Sequence, residues 1–383
     1  MTIQLPVVGF TLAALLVAAL VALISTPVVR SLAFRIGAVD VPRDARRMHD
    51  HPIPRMGGLA IFFGFILSVL IFQPLTPELR GMLLGAVIIV ILGILDDIFA
   101  LPALPKFFVQ IAAALIAVLH GNRIDFLSNP NVFSKNPFWE LGWLAVPITV
   151  LWIVGITNAV NLIDGLDGLA CGVSTISSMT MLVIALIVAE PDVAILMAAL
   201  SGACIGFLPY NLNPAKIFMG DTGSTFLGFV LAVVSIQGLF KFYAIISFAV
   251  PFLMLGLPIF DTCFAILRRV SHGQSPMSPD RGHIHHRLID MGFTQKQAVA
   301  VLYIISAILG LSAVVLTTIG VVRAMLFLLA LCAAGAVAAK LFLDRNNVAG
   351  APSSSGGSRI AKPRQSRPME SGNYFGEEDS SDK

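Results

Sequence analysis

Four polar residues recur at intervals of three along one apolar stretch of the chain. They are Asn158, Asn161, Asp164 and Asp167. On a helix this interval brings side chains near one face. Two amides and two carboxylates on such a stripe supply oxygen ligands for hydrated Mg²⁺ and hydrogen-bonding groups for a sugar or a base. A polar helix cap accounts for one or two of these residues but not for four in phase, so the pattern favours a ligand-binding site.

A pair of adjacent carboxylates, Asp96 and Asp97, ends another apolar run. Neighbouring negative charges repel each other, and they stay ionised most easily beside a cation, which here is either a metal or Lys106. A pair of solvated acids at the end of a helix explains the same pattern equally well.

A third polar segment, Phe218-Met-Gly-Asp221-Thr-Gly-Ser224, precedes a further apolar run. Asp221 fits two roles: an N-cap of the following helix, or a metal ligand beside a glycine-rich helix start that faces phosphate. Phe218 suits stacking on a base or anchoring at the membrane interface.

The last polar segment extends from Arg268 to Arg287 and contains three histidines within four residues. Membrane topology alone explains the arginine pair at its start. Zinc binding is disfavoured, because the spacing of the histidines is unusual for zinc and no cysteine joins them. Arginines on both sides of the histidines favour a loop that binds an anion or a nucleotide. The candidate ligand-binding residues in this loop are Arg281, His283, His285 and His286.

Composition indicates the elements that must position these residues. Of the 383 residues, 57% are hydrophobic and only 12% are charged, and the mean hydropathy is +0.87. A soluble protein needs more polar surface, so the sequence predicts an all-α, polytopic integral membrane protein. A membrane-spanning helix needs about 20 apolar residues. Eleven runs follow this pattern, at about 7–29, 56–73, 81–95, 103–119, 143–160, 169–189, 193–210, 223–240, 242–267, 298–320 and 323–343.

The distribution of basic residues predicts the orientation of these spans. Twenty of the 25 Lys and Arg residues fall in the odd-numbered loops and the C-terminal tail. The positive-inside rule then places those segments in the cytoplasm and the N-terminus outside. The polar segments described above all lie in odd-numbered loops, so we expect them to converge on the cytoplasmic face.

Two further segments lie on the same side. The basic loop 30–55 is explained by topology and by attraction to lipid headgroups, with guidance of a phosphate as the alternative. Residues 346–383 are rich in Ser, Gly and charged residues, which predicts a disordered cytoplasmic tail. The predicted domains are therefore a transmembrane catalytic domain, residues 1–345, and this tail.

Taken together, the motifs resemble those of the polyprenyl-phosphate N-acetylhexosamine-1-phosphate transferases. The resemblance rests on NAVNLIDGLDGLA, on LDD followed by Lys106 and Gln110, on FMGDTGS and on SPDRGHIHHRL, and it covers nearly the whole chain before the tail. The HIHHRL form is similar to the branch that transfers N-acetylglucosamine-1-phosphate to undecaprenyl phosphate at the start of teichoic acid, O-antigen or enterobacterial common antigen synthesis. The phospho-MurNAc-pentapeptide transferases are the alternative branch.

The resemblance implies a Mg²⁺-dependent phosphotransferase, with Mn²⁺ as an alternative ion, in the inner (plasma) membrane with its active site on the cytoplasmic face. A polyprenyl phosphate oxygen would attack the β-phosphorus of UDP-N-acetylglucosamine (UDP-GlcNAc), and UMP would leave. By the same resemblance the metal ligands are Asp221 and Asn161, and the catalytic residues are Asp96, Asp97 and Asp164. The implied substrate-binding residues are Lys106, Asn158, Asp167, Phe218, Arg281, His283, His285 and His286. The expected partners are UDP-GlcNAc, undecaprenyl phosphate and membrane lipid, with no nucleic acid and with a homodimer left open.

The chemistry of the acceptor adds a hypothesis about Asp96 and Asp97. A phosphate monoester has a second pKa of about 6, so the lipid phosphate is mostly dianionic at neutral pH. Such a nucleophile hardly needs a base. We therefore expect Asp96 or Asp97 to matter more for placing metal and phosphate than for removing a proton.

A transporter of an anionic substrate is the main alternative from another class of protein. Transporters carry polar residues near the middle of the membrane on broken helices. Here only Asp261 lies clearly inside a predicted span. It fits a pore residue or, as we favour, the partner of a neighbouring group at the floor of the site. An intramembrane metalloprotease is disfavoured, because the chain has no HExxH motif.

Overall fold

The structure is a computed structural model that describes residues 5–41, 51–128, 138–238, 246–275 and 282–319, together with 326, 327 and 329. Three of the sequence predictions lie outside these residues: Arg281 as a ligand-binding residue, the span 323–343 apart from 326, 327 and 329, and the tail 346–383.

Twelve α-helices make up most of the described chain. They are α1 (Leu5–Ile36), α2 (Gly58–Phe72), α3 (Pro77–Phe99), α4 (Ala103–Leu119), α5 (Ala145–Leu162), α6 (Leu169–Val188), α7 (Pro191–Asn211), α8 (Gly220–Gly238), α9 (Ile246–Met254), α10 (Gly256–Ser271), α11 (Ile284–Asp290) and α12 (Gln295–Ile319). Two short antiparallel pairs of strands accompany them: β1 (Val39–Asp40) with β2 (Ile53–Pro54), and β3 (Phe126–Ser128) with β4 (Phe138–Glu140). The all-α prediction omitted these strands, which are too short to leave a periodic signal in the sequence.

The described helices confirm a multi-pass membrane protein. By length and composition, six of them can cross a membrane: α1, α3, α6, α7, α12, and α5 with the 3₁₀ turn Gly142–Leu144 before it. Two shorter helices, α2 and α4, are also apolar. The predicted span 103–119 coincides with α4, and α3 extends four residues beyond each end of the predicted span 81–95. The count of eleven spans and the orientation stay predictions.

The predicted span 242–267 is wrong as a single helix, because the chain breaks at Leu255 between α9 and α10. Pro258 has no N–H to donate to the carbonyl of Met254, four residues earlier. The Ser177 hydroxyl donates to that carbonyl instead, at 2.8 Å. A hydroxyl from α6 thus satisfies the carbonyl that the proline leaves unpaired.

Helix α8 runs through the buried core, and two neighbours approach its backbone closely. A Cβ added at Gly93 of α3 would overlap the backbone of Thr222, and one added at Gly228 would lie 2.7 Å from Cα of Thr157 on α5. Small residues at these positions let the helices pack in near backbone contact. The C-terminal ends of α3 and α5 therefore meet the N-terminus of α8, and their polar residues meet with them.

Candidate active site

Asp97 is bonded to the start of α8. Its Oδ1 accepts from the Asp221 N–H at 3.0 Å, and its Oδ2 accepts from the Thr222 N–H at 3.1 Å and from the Thr222 hydroxyl at 2.7 Å. The side chain is 8% exposed. The first N–H groups of a helix have no partner within the helix, and they carry partial positive charge that a carboxylate stabilises. Asp97 therefore caps α8 from a neighbouring helix and fixes the backbone that carries Asp221.

Asp96 faces a different group. Its Oδ2 accepts from Lys106 Nζ at 2.7 Å, and its Oδ1 accepts from the Leu101 N–H at 2.7 Å. The same ammonium lies 3.3 Å from Oδ2 of Asp221. Asp96 and Asp221 thus share one cation, so Lys106 is a positive partner of Asp96, and a metal beside the acidic pair stays a prediction. The doublet splits into one carboxylate that caps a helix and one that joins Lys106.

Asn161 completes this cluster. Its side-chain N–H groups donate to Oδ1 of Asp221 at 3.1 Å and to the Ser224 hydroxyl at 2.8 Å. One turn earlier on α5, the amide of Asn158 donates to Gln110 at 2.6 Å. Both asparagines therefore lie on one side of α5, as their spacing predicts.

The stripe does not continue as a helix. Helix α5 ends at Leu162, and Asp164 and Asp167 lie in the turn before α6. Gly168 in that turn has φ +78°, a left-handed conformation that favours glycine. Asp167 accepts from the Asn213 side chain at 2.9 Å and from the Ala215 N–H at 3.0 Å. It therefore stabilises the loop that leads to α8.

Asp221 lines two cavities. The small cavity, of about 30 Å³, lies beside Lys106 and is lined by Leu92, Gly93, Asp96, Lys106, Gln110, Asn158, Asn161, Asp221 and Thr225. The large cavity, of about 260 Å³, is lined by Asp40, Arg55, Asp164, Gly165, Leu166, Asp167, Asn211, Phe218, Met219, Gly220, Asp221, His286 and Gln295. Five of the predicted residues meet in the large cavity, which are Asp164, Asp167, Phe218, Asp221 and His286. Gln295 also lines it and was not selected by the sequence analysis, whereas Asp40 and Arg55 belong to the basic loop 30–55, for which phosphate guidance was the alternative.

Asp164 has an unusual environment in the large cavity. Burial raises the pKa of its carboxyl to about 8, the charges of Asp221 and Asp97 act in the same direction, and Arg55 opposes them. At neutral pH the metal-free site therefore holds Asp164 mainly in its protonated form.

The histidine loop is bonded to α10 through Asp261. The His283 ring donates from Nδ1 to Oδ2 of Asp261 at 2.8 Å, and the Ile284 N–H donates to the other carboxylate oxygen at 2.8 Å. Asp261 is 3% exposed. The expectation that Asp261 pairs with a neighbouring group is confirmed, and His283 is that group.

His285 and His286 bring the loop to the large cavity. The ring of His285 packs on Gly165, where an added Cβ would overlap the imidazole. Burial and the neighbouring His286 lower the pKa of His285 to about 4, which keeps its ring neutral at pH 7. Its ring centroid lies 4.3 Å from that of His286. Of the three histidines, His286 lines the cavity, whereas His283 and His285 position the loop.

The oxygen donors around Asp221 suit a hard divalent cation. Among the described residues, no three His, Cys, Asp or Glu side chains are grouped to hold a metal ion. Mg²⁺ in proteins commonly takes only one or two carboxylates, with water and substrate phosphate completing its octahedron. The carboxylate of Asp221 fits that pattern, since it lines a cavity of about 260 Å³ with room for water and phosphate. Asn161 faces Asp221 with its amide N–H groups, so its oxygen would reach an ion there only after the amide group turns over.

Comparison with known proteins identifies the family of this chain. Residues 79–239 match the model of the family described as glycosyl transferase family 4. A Bacillus subtilis protein named "probable undecaprenyl-phosphate N-acetylglucosaminyl 1-phosphate transferase" is 47% identical over 304 residues, covering 79% of this chain and 84% of that protein. A Mycolicibacterium smegmatis decaprenyl-phosphate N-acetylglucosaminephosphotransferase is 35% identical over 330 residues, 79% of each chain. The undecaprenyl-phosphate alpha-N-acetylglucosaminyl 1-phosphate transferase of Escherichia coli K12 is 30% identical over 286 residues, 73% of this chain and 77% of that protein.

Proposed function

This chain belongs to glycosyl transferase family 4, and we propose on that basis that it transfers N-acetylglucosamine-1-phosphate to undecaprenyl phosphate. The names of its relatives support this acceptor and this sugar. UDP-GlcNAc is the donor that such a transfer requires, and UMP is the second product. The lipid-linked sugar would start a cell-envelope polymer.

The position of Asp221 between two cavities carries this proposal. Eight of the thirteen residues that line the large cavity are polar or charged, which suits the soluble nucleotide sugar. The small cavity lies between α3, α4 and α5, beside the Lys106 ammonium. On α4, Lys106 lies between two strongly exposed apolar side chains, Leu104 and Phe108, which suit contact with lipid. Donor and acceptor would therefore approach Asp221 from opposite sides.

The residues around Asp221 fit the needs of phosphoryl transfer between two anions. A phosphate oxygen of the lipid forms a bond to the β-phosphorus of UDP-GlcNAc, and the bond from that phosphorus to the bridging oxygen breaks to release UMP. Lys106 reduces repulsion by holding the lipid phosphate. Mg²⁺, for which Mn²⁺ would substitute, would be held by Asp221 and Asn161 and would neutralise charge on the transferred phosphoryl group. Asp97 holds the N-terminus of α8 in place.

The placement of the site in the cell is part of the proposal. The bias of Lys and Arg toward odd-numbered loops supports a cytoplasmic site in the inner membrane, with the N-terminus outside and eleven spans. Residues 1–345 would form the catalytic domain and 346–383 a cytoplasmic tail. Homodimerisation stays a prediction.

The test is turnover by the full-length protein in detergent. We expect UMP release from UDP-GlcNAc only with undecaprenyl phosphate and Mg²⁺, together with a lipid product whose mass increases by one N-acetylglucosamine phosphate. Chelation with EDTA should abolish activity and Mg²⁺ should restore it, whereas Asp221→Asn should stay inactive. Turnover of only the UDP-MurNAc-pentapeptide donor would assign the chain to the other branch. Uptake of substrate into proteoliposomes without UMP release would instead indicate a transporter.

A further inference from the structure

We propose that Arg55 binds the diphosphate of the nucleotide sugar in the large cavity. This inference rests on the proposed function. Arg55 lies in the basic loop 30–55, for which membrane orientation and phosphate guidance were the two explanations, and the geometry favours the second.

The backbone holds Arg55 in register with Asp221. The Arg55 N–H donates to the Ala38 carbonyl at 2.9 Å, directly after the β1–β2 pair. Three more backbone hydrogen bonds tie the flanking residues to the segment before α8: Phe218 N to Pro54 O at 2.8 Å, Gly57 N to Phe218 O at 2.9 Å, and Gly58 N to Met219 O at 2.9 Å. The chain on both sides of Arg55 is thus bonded to the residues that immediately precede Asp221.

The residue after Arg55 adds a second constraint. Met56 has φ +73°, which is rare for a residue other than glycine, and its side chain is buried. Such a conformation persists only where the surrounding structure imposes it, and it is commonly found at functional sites. The turn at Met56 joins the end of β2 at Pro54 to the start of α2 at Gly58. The Arg55 side chain in this turn lines the large cavity.

The charges on that wall require a cation for any phosphate to enter. Four carboxylates line the cavity, and among the described residues that line it Arg55 is the one with a permanent positive charge. The guanidinium is anchored by Asp40, with Nη2 3.4 Å from Oδ2, and the side chain remains 37% exposed. Its fork of five N–H groups matches the geometry of phosphate oxygens, and one contact to Asp40 leaves others for a ligand.

The two phosphate-bearing substrates would then meet different cations. Lys106 lies in the small cavity with Asp96, whereas Arg55 lies in the large one with Asp164. Arg55 should therefore determine affinity for the donor and leave affinity for the lipid phosphate unchanged. This separation is what the experiment measures.

The experiment compares Arg55→Gln and Arg55→Lys with Arg30→Gln. Arg30 is an exposed arginine of α1 whose Nε donates to the Lys216 carbonyl at 3.1 Å, and it is not among the residues that line the large cavity. For each full-length protein, KM is measured separately for UDP-GlcNAc and for undecaprenyl phosphate. Inhibition by UDP and by uridine, which lacks the diphosphate, is measured as well. Thermal melting in detergent checks that each variant is folded.

We expect Arg55→Gln to raise KM for UDP-GlcNAc roughly 10- to 100-fold, because hydrogen bonds to charged groups are strong. Inhibition by UDP should weaken to a similar degree, whereas inhibition by uridine and KM for the lipid should change less than about twofold. Arg55→Lys should fall between wild type and Arg55→Gln, since it keeps the charge but loses the fork. Arg30→Gln should behave as wild type.

Three outcomes would overturn the inference. A raised KM for the lipid with an unchanged KM for UDP-GlcNAc would make Arg55 an acceptor residue. Equal weakening of UDP and uridine binding would show that Arg55 acts on the shape of the cavity and not on the diphosphate. Wild-type kinetics in a folded Arg55→Gln protein would leave it a surface residue. A wild-type protein that does not use UDP-GlcNAc would refute the proposed function before any variant is compared.

Discussion

Replacement of Asp97 by Asn separates a positioning role from a role as base. The carboxylate accepts three hydrogen bonds, two from backbone N–H groups and one from the Thr222 hydroxyl. An Asn side chain has one oxygen and one NH₂ group. The Thr222 hydroxyl can turn to accept from the NH₂ group, but one of the two backbone N–H groups would then face that NH₂ group, which is also a donor. Leaving that N–H unpaired in a buried place costs about 1–3 kcal/mol. Loss of the negative charge at the helix start costs up to about 2 kcal/mol more.

The effect on catalysis follows from a displacement of the start of α8 when these hydrogen bonds are lost. Asp221 is the residue whose N–H bonds to Asp97, so a shift at the start of α8 moves the proposed metal ligand. A misplacement of about 1 Å at a reacting centre costs on the order of 100-fold in rate. We therefore expect Asp97→Asn to lower kcat about 100-fold and to lower the melting temperature. The ratio of variant to wild-type kcat should stay constant from pH 6.5 to 9.

The assay is UMP release at saturating substrates across this pH range, with thermal melting in parallel. Asp96→Asn is the matched variant, because Asp96 accepts from Leu101 and Lys106 and its loss should destabilise the fold less. A base removed by mutation is replaced by hydroxide, whose concentration rises tenfold per pH unit. The positioning role is therefore refuted if the rate of Asp97→Asn climbs tenfold per unit toward the wild-type value. An unchanged melting temperature with lost activity would also contradict it.

Two further predictions concern the turn after α5. The folded-state pKa of Asp164 is about 8, well above the ordinary value near 4, so its stabilising contribution is complete below about pH 4 and is lost as the pH rises through 8. Without metal, the wild-type melting temperature should fall more steeply between pH 6 and 9 than that of Asp164→Asn. Parallel curves of melting temperature against pH for the two proteins would contradict the raised pKa of Asp164. An added Cβ at Gly165 would overlap the His285 ring, whereas one at Gly155 meets nothing within 4 Å. Gly165→Ala should therefore raise KM for UDP-GlcNAc at least about tenfold and Gly155→Ala should not, and equal kinetics of the two variants would exclude the packing argument.

The sequence predicted the helices well because the membrane requires long apolar runs. The expected convergence of the polar segments is also seen, since Asp96, Asn161 and Asp221 meet beside Lys106. The different roles of Asp96 and Asp97 follow from helix geometry that the motif alone does not display. Adjacent residues on a helix point about 100° apart, so a doublet cannot serve one ligand from the same face. Which member faces α8 depends on how α3 packs, and that is a tertiary contact.

The stripe from Asn158 to Asp167 shows a second limit of the sequence. An interval of three falls short of a 3.6-residue turn, so each step rotates about 60° and four residues spread over half the helix. The chain leaves the helix at Leu162, and Asp164 and Asp167 face the large cavity from a turn. Arg55 was not singled out for another reason. The basic loop 30–55 was explained by membrane orientation, with phosphate guidance as the alternative, and only the backbone contacts of its neighbours Pro54 and Gly57 with Phe218 distinguish Arg55 from the other basic residues.

The charge balance around Asp221 predicts that the proposed reaction needs an added cation. The negative charge of Asp97 is stabilised by the N–H groups at the start of α8, and Asp164 is mainly neutral at pH 7. The negative charge of Asp40 largely offsets the positive charge of Arg55. Lys106 then faces two carboxylates, which leaves the small cavity with excess negative charge before any substrate binds. A lipid phosphate and a nucleotide diphosphate would add further negative charges at close range, where Coulomb repulsion in a partly buried site amounts to several kcal/mol per pair. Lys106 and Arg55 offset only part of this repulsion, so we expect catalysis by this arrangement to require a divalent ion at Asp221.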